Sequence, residues 1–461
     1  MSPGNRMSPT ELRASLSLAS IFGLRMLGMF VILPVFAIYA EHLKGGNNLT
    51  LVGVALGAYG LTQAILQIPF GWMSDRFGRK PVIYIGLAIF AVGSFVAAFA
   101  DDIYIVILGR VLQGSGAISA AVIAMVADLT REEQRTKAMA MIGSTIGLTF
   151  AISLVASPWL NHIIGVPGIF AMTGVLSMLA IVVVYAVIPD VPDEAVVPAS
   201  ARNKESAPGF FKVLCDPQLA RLNFGILALH AVLMALFIVV PLSLRDAGLP
   251  LGEHWLIYLP VMLGSFVLMV PAILLAERRG RVKAVFVGAV ALLLIGQLTM
   301  PWLLGRVAEI SVFLLIFFTA FNVLEAMLPS LTSKLAPPGA KGTAIGVYSS
   351  VQFLGTFIGA ACGGFLYQHF GARGVFVFDF ALLLAWLVLA AGMQAPVQVL
   401  TRVYPLPVLD NAQAGSLEAQ LRAQPGVQDV QLAPGERTAY LKVYAAGYDE
   451  RVVLRLIQEL T

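Results

Sequence analysis

Gly71–Pro81 reads GWMSDRFGRKP, and inside it Asp75, Arg76, Arg79 and Lys80 place four formal charges within six residues. Long apolar stretches flank it on both sides. The chain as a whole is only 12% charged and 58% hydrophobic, with a mean hydropathy of +0.85. A soluble protein of this length carries about twice that charge. A dense charge cluster between two apolar runs therefore reads as a short loop joining two membrane helices, and the rest of the sequence agrees.

Apolar stretches of about 20 residues recur, long enough to cross the hydrocarbon core as helices. Helices satisfy their own backbone polar groups inside lipid. The pattern predicts spans near 15–39, 50–72, 82–100, 103–127, 138–160, 166–189, 219–243, 253–276, 283–304, 310–332, 343–368 and 373–394. An even number of spans puts both termini on one side. Eighteen Lys and Arg fall in the loops and tails of one side, including Arg76, Arg79, Lys80, Arg131, Arg278 and Lys341, against Lys44, Arg245, Arg306 and Arg373 on the other. This asymmetry orients both termini to the cytoplasm of a multi-pass inner-membrane protein. It also accounts for the pI near 9.0, so no nucleic-acid partner is implied. Cys215 and Cys362 are far apart and form no disulfide framework or metal motif. No GxxxxGK[ST] occurs, which argues against an ATP-driven pump.

The spans fall into an N-terminal six-helix bundle (1–189), a cytoplasmic linker (190–218) and a C-terminal six-helix bundle (219–394). In the linker GFFKVL (Gly209–Leu214) reads either as a short interfacial turn or as ordinary loop. The halves repeat: PFGWMSDRFGR (Pro69–Arg79) aligns on PAILLAERRGR (Pro271–Arg281), matching proline, acid, arginine, glycine and final arginine. Internal repeats mark secondary transporters, with the binding site between the repeats. Residues 395–461 change character, with strands expected at Val403–Val408, around Val430–Leu432 and over Ala439–Val443, a turn at Ala433–Glu436, and helices through Leu417–Leu421 and Val452–Leu460. The order β-α-β-β-α predicts a small ferredoxin-like cytoplasmic domain without its last strand.

Twelve spans as six plus six, with Gly71, Asp75, Arg76, Gly78, Arg79 and Lys80 at their spacing after the second span, resemble the major facilitator superfamily. GLRMLGMF (Gly23–Phe30), GRVLQGSGAISAAV (Gly109–Val122) and NVLEAMLPSL (Asn322–Leu331) extend the resemblance over most of the chain. The resemblance implies an all-α twelve-helix fold and proton-coupled alternating access, with no cofactor and no enzyme activity. It implies that the charge cluster is a conformational latch: Asp75 meets the start of the eleventh span near Lys341–Thr343, and Arg79 pairs with Asp128 at the inner end of the fourth. The competing reading, plain positive-inside determinants, suits Lys80 but not an acid at fixed spacing.

Ionisable groups inside spans are costly and mark function. Arg25, Arg110, His230 and Glu325 fall on spans 1, 4, 7 and 10, which line the cavity in the resembled family. Glu325 is the expected proton carrier, since desolvation penalises a charged carboxyl; His230 is the second candidate. Asn322 lies one turn before Glu325 and joins this group. Arg110 matches the family's RxxQG arginine, and it and Arg25 are expected to tune a neighbour or bind an anionic group, against helix packing as the plain alternative for Arg25. Asp379 reads as structural. Tyr59, Gln63 and Gln67 make a polar stripe at i, i+4, i+8, and Tyr348 and Gln352 a shorter one; these either contact substrate or bridge helices. The fifth span, GSTIGLTFAISLVASP (Gly143–Pro158), lacks the tight Gly-Pro signature of the family's antiporters. Drug or small-molecule antiport is expected, with symport or facilitated passage of a metabolite, or a transporter-like sensor acting through the C-terminal domain, kept open. For that domain, self-association or ligand sensing is expected.

Overall fold

A computed structural model describes residues 7–189, 213–278, 280–302, 304–336, 340–393, 399–407, 411–433, 438–444 and 448–458. Most of the linker, four residues of GFFKVL and most of the Ala433–Glu436 turn lie outside these residues. The chain divides into two units, Met1–Ala276 with Ala284–Met393, and Glu277–Lys283 with Gln394–Thr461.

In the membrane unit ten helical segments are long and apolar enough to cross a bilayer. Two of them turn back at a glycine with positive φ, Gly165 (67°) and Gly371 (65°), and so each hold two spans, which makes twelve among the described residues. They are α1 (Pro9–His42), α2 (Leu49–Phe77), α3 (Arg79–Ala98), α4 (Ile103–Asp128), α5 (132–164), α6 (166–187), α7 (Pro217–Asp246), α8 (Trp255–Arg278), α9 (Val282–Thr299), α10 (Val307–Leu335), α11 (341–370) and α12 (372–391). Helix α1 starts six residues earlier than the apolar pattern predicts. Ser8 and Glu11 form a capping box there, each side chain bonding the other's backbone N–H. α1 and α4 are interrupted, α1 just before Pro34, which has no N–H to give, and α4 at residues 116–118.

Helix α7 is almost wholly enclosed, with 94% of its apolar window buried, whereas only 22% of the window in α8 is. α7 thus lies inside the protein, and the exposed Leu263, Val267 and Val270 of α8 form an apolar face suited to lipid. The second unit is a three-stranded antiparallel sheet of order β1-β3-β2, built from β1 (Val399–Pro405), β2 (Val427–Ala433) and β3 (Thr438–Tyr444). Helices α13 (Asn411–Arg422) and α14 (Glu450–Gln458) complete it. β1 begins four residues before the expected Val403 and ends at Pro405, where its pairing with Thr438 stops. Leu417, Leu421, Val430, Leu441, Val443 and Val453 form its core.

Candidate functional site

The two bundles meet along α2 and α11. At Gly57 a Cβ would sit 3.0 Å from the backbone of Phe357, and at Gly53 it would overlap the Ala360 carbonyl, so the backbones approach as only glycine allows. Gln368 of α11 accepts a hydrogen bond from the Leu49 N–H at the first turn of α2 (2.8 Å). Arg245 at the end of α7 holds both carboxylate oxygens of Glu41 in α1, at 2.8 and 2.9 Å. These contacts lie in the periplasmic half. Towards the cytoplasmic ends a Cβ built on Gly143 or Gly147 of α5, or on Gly342 or Gly346 of α11, would meet no atom of another helix within 4 Å among the described residues. The described hydrogen bonds and ion pairs between the bundles thus close the periplasmic side, the arrangement of an inward-facing transporter.

The charge cluster sits at the α2–α3 turn. Gly78 ends α2 with φ 91°, a conformation costly for any other residue, and Gly280 at the repeated position has φ 63°. Arg79 donates from Nε to Asp128 (2.9 Å) and from Nη1 to Ser74 (3.0 Å) and Asp75. Arg76 turns away, its guanidinium over the rings of Trp72 (5.3 Å) and Phe77 (5.7 Å). A Cβ on Gly71 would touch Ala120 of α4 at 3.4 Å. Asp75 makes no hydrogen bond to α11 among the described residues, and Gly342 and Thr343 are exposed. The expected meeting of Asp75 with the start of α11 is thus not made among the described residues.

Three polar groups are brought together. In the first, Gln352 of α11 bridges His230 of α7 (2.8 Å from Nε2) and Glu325 of α10 (3.4 Å from Oε1). His230 is enclosed, while the Glu325 side chain is 31% exposed. In the second, Arg25 of α1 donates to Ser119 (3.1 Å) and Gln63, and Gln63 donates to Gln67 (3.2 Å). In the third, Arg110 of α4 donates to Gln113 (2.8 Å) and to the carbonyls of Gly28 and Leu56. Both guanidinium groups lie over the Tyr59 ring, at 5.8 Å for Arg25 and 5.0 Å for Arg110. Neither arginine has a carboxylate partner among the described residues; of the polar stripe of α2, Gln63 bridges helices through Arg25 and Ser119, while Gln67 bonds Gln63 within its own helix. Asn322 donates to Ser265 of α8 (3.0 Å) instead of joining Glu325. Tyr348 is buried one turn before Gln352, its hydroxyl without a hydrogen-bond partner among the described residues. Asp379 of α12 is buried, neither oxygen having a hydrogen-bond partner among the described residues.

Several contributors escape sequence reasoning. Phe150 of α5 meets Phe30 of α1 (5.0 Å) and Phe318 and Phe321 of α10 (both 5.9 Å). Phe321 also lies 5.9 Å from His230. This aromatic plug joins the bundles one turn to the periplasmic side of Glu325; the Phe317, Phe318, Phe321 spacing was its visible signal. Glu11, 7% exposed, ties α1 to Arg131 in the α4–α5 loop through Nε (2.9 Å) and Nη2 (3.1 Å). Nothing in the sequence singles out that pair or Glu41–Arg245.

Comparison with known proteins agrees with this architecture. The family model described as Major Facilitator Superfamily matches residues 18–360 and, overlapping, 254–402. The chain is 44% identical over 438 residues to the inner membrane transport protein YajR of Escherichia coli strain K12, covering 95% of each chain. It is 25% identical over 360 residues to the multidrug resistance protein MdtH of Aeromonas hydrophila, covering 76% of this chain and 86% of that one. Among solved structures, a bacterial homologue of the human lysosomal transporter Spinster, inward-facing and occupied, superposes with a TM-score of 0.65 at 14% identity, over 84% of this chain and 96% of that one, which bears on the fold alone. The chain belongs to the Major Facilitator Superfamily and is a multi-pass inner-membrane secondary transporter.

Proposed function

We propose that this proton-coupled transporter is an antiporter that exports drug-like or other small molecules by alternating access. The observation that carries the reading is Glu325: a carboxyl in mid-span on α10, bonded by Gln352, partly exposed and one turn to the cytoplasmic side of the aromatic plug. An acid at a cavity centre can hand a proton from one side to the other as access alternates. Likeness to a multidrug resistance protein supports export and a broad substrate class. Arg25 and Arg110, cationic without carboxylate partners among the described residues, favour a cavity that tolerates negative charge on the N-terminal side. Symport or facilitation is distinguished by reversing the pH gradient.

The test is drug-driven proton movement in everted vesicles, with tetracycline and ethidium as probes. Wild-type vesicles should dissipate the gradient on probe addition. Glu325→Gln should lose at least about tenfold in proton-driven flux, a loss of about 1.4 kcal/mol in transition-state terms, while retaining part of any proton-independent exchange. Wild-type flux in Glu325→Gln across a gradient removes Glu325 as the carrier.

The cluster at Asp75, Arg76, Arg79 and Asp128 is, in this reading, half of a latch that closes on α11 when the cavity faces outward. The C-terminal unit, with its β1-β3-β2 order, is read as a ferredoxin-like module lacking its last strand, and as a modulator through self-association or ligand sensing. Its strand edges suit partner recruitment. Ending the chain after Met393 should leave a folded transporter with altered rate. Complete loss of flux in a well-inserted truncate would favour a transporter-like sensor.

A further inference from the structure

Gln352 shares one amide nitrogen between two titratable groups on different helices, 2.8 Å from His230 Nε2 and 3.4 Å from Glu325 Oε1. A side-chain NH₂ has two N–H groups and can serve both. Donation to Nε2 requires a lone pair there, so the ring proton of the neutral imidazole stands on Nδ1. Nδ1 itself has no hydrogen-bond partner among the described residues. Glu325 Oε2 lies 3.9 Å from His230 Nε2 and has no hydrogen-bond partner among the described residues. Two groups able to exchange a proton thus face each other, and a third group occupies the lone pair that would receive it.

We propose that Gln352 is a positioning residue of the proton site: by donating to His230 Nε2 it blocks transfer of a proton from Glu325 to the imidazole while the cavity faces the cytoplasm. This rests on Glu325 as the proton carrier. The step it controls breaks the O–H bond at Glu325 Oε2 and forms N–H at His230 Nε2, leaving a carboxylate beside an imidazolium; no other reactant is needed. The helix that carries the amide packs on both bundles: a Cβ on Gly355 or Gly359 would overlap the Leu227 or Ala231 carbonyl of α7, so α11 and α7 hold Gln352 and His230 in a fixed relation. Phe353, the next residue, meets Tyr59 of α2 at 6.4 Å, and Phe357 and Ala360 lie against Gly57 and Gly53. When the periplasmic seam opens, the contacts of Phe353 and Phe357 with α2 are lost, and the neighbouring Gln352 amide gains room to turn and free Nε2. A terminal amide can also turn over and offer its oxygen to an Nε2–H. The titratable groups around Gln352 are His230 from α7, Glu325 from α10 and Tyr348 on its own helix, while α2 presents Tyr59 through Phe353.

The test uses the full chain, histidine-labelled with nitrogen-15, in lipid nanodiscs, with the proton as the only ligand. Five histidines are present, and His230→Gln assigns the signal by subtraction. In the wild type the neutral imidazole of His230 should show a pyridine-type Nε2 and a protonated Nδ1. In Gln352→Met, similar in length but without the amide, His230 should change tautomer population, with a protonated Nε2 appearing. A protonated Nε2 in the wild type overturns the proposal, whether or not the variant folds. An unchanged His230 signal in a folded Gln352→Met protein overturns it equally. Failure of the Glu325 reading is seen separately, as wild-type proton-driven flux in Glu325→Gln.

Discussion

Arg245 and Glu41 join α7 to α1 across the two bundles, one guanidinium nitrogen held by both carboxylate oxygens at 2.8 and 2.9 Å. Both side chains are partly exposed, 37% and 41%, so solvent screens the pair. Such a pair contributes about 0.2–1 kcal/mol, up to about a fivefold bias in a two-state equilibrium. Glu41→Gln or Arg245→Ala should therefore shift the population from inward-facing towards outward-facing by a few-fold. Distances between spin labels at the periplasmic ends of α1 and α7 report this. The charge-reversed double variant Glu41→Arg, Arg245→Glu should recover most of the bias, and unchanged distances in all variants remove the pair as a lock.

The glycine seam should be the stiffer constraint. Gly57→Val places its Cβ 3.0 Å from Phe357 backbone atoms, which cannot rotate away as a side-chain tip can. The periplasmic side should then fail to close, and flux should fall to background with normal insertion. Gly143→Ala, where no atom lies within 4 Å of the added Cβ, is the matched control and should transport normally. Equal flux in the two variants contradicts the seam.

For the charge cluster, Arg79 and Asp128 are both largely enclosed, with side-chain exposures of 13% and 16%, whereas Asp75 is 47% exposed. Removing one partner of an enclosed pair costs up to about 3–5 kcal/mol. Arg79→Ala should thus strand Asp128 and lower both flux and thermal stability. Asp128→Asn should be milder because the amide still accepts from Nε. Asp75→Asn should leave stability nearly unchanged and reduce the outward-facing population, read from distances between the cytoplasmic ends of α2 and α11. A stability loss in Asp75→Asn as large as in Arg79→Ala would contradict this division.

In the C-terminal unit Tyr404 shares its hydroxyl with Tyr448 and donates to Glu450 (3.0 Å). Burial first, and then these hydrogen bonds, raise the Tyr404 pKa above its ordinary value. A raised pKa favours the protonated phenol in the folded state. Its stabilisation is present in full at neutral pH and is lost as pH rises past the ordinary tyrosine value of about 10. Tyr404→Phe should cost about 1 kcal/mol at neutral pH and flatten the alkaline loss. Hydrogen exchange of the β3 amides in the full chain measures both, and an identical alkaline profile in Tyr404→Phe would contradict the assignment.

The sequence by itself determined that the chain crosses the membrane twelve times, in which orientation, and in two repeated halves. Hydropathy, Lys and Arg asymmetry and the Gly71–Pro81 spacing are local or additive properties, legible one residue at a time. It likewise singled out Glu325, His230, Arg25 and Arg110, because an ionisable group in an apolar span is conspicuous wherever it points. What it could not decide was company. Asn322 shares a face with Glu325 yet bonds Ser265, and Arg25 and Arg110 stand over one tyrosine instead of beside an acid. The cross-bundle contacts Glu41–Arg245, Leu49–Gln368 and Phe150–Phe321 join residues distant in sequence. Such pairings follow from how helices pack and from which end of the cavity is closed. Only the tertiary structure decided those, because one sequence must support both the inward-facing and the outward-facing arrangement and so cannot encode the contacts of either alone.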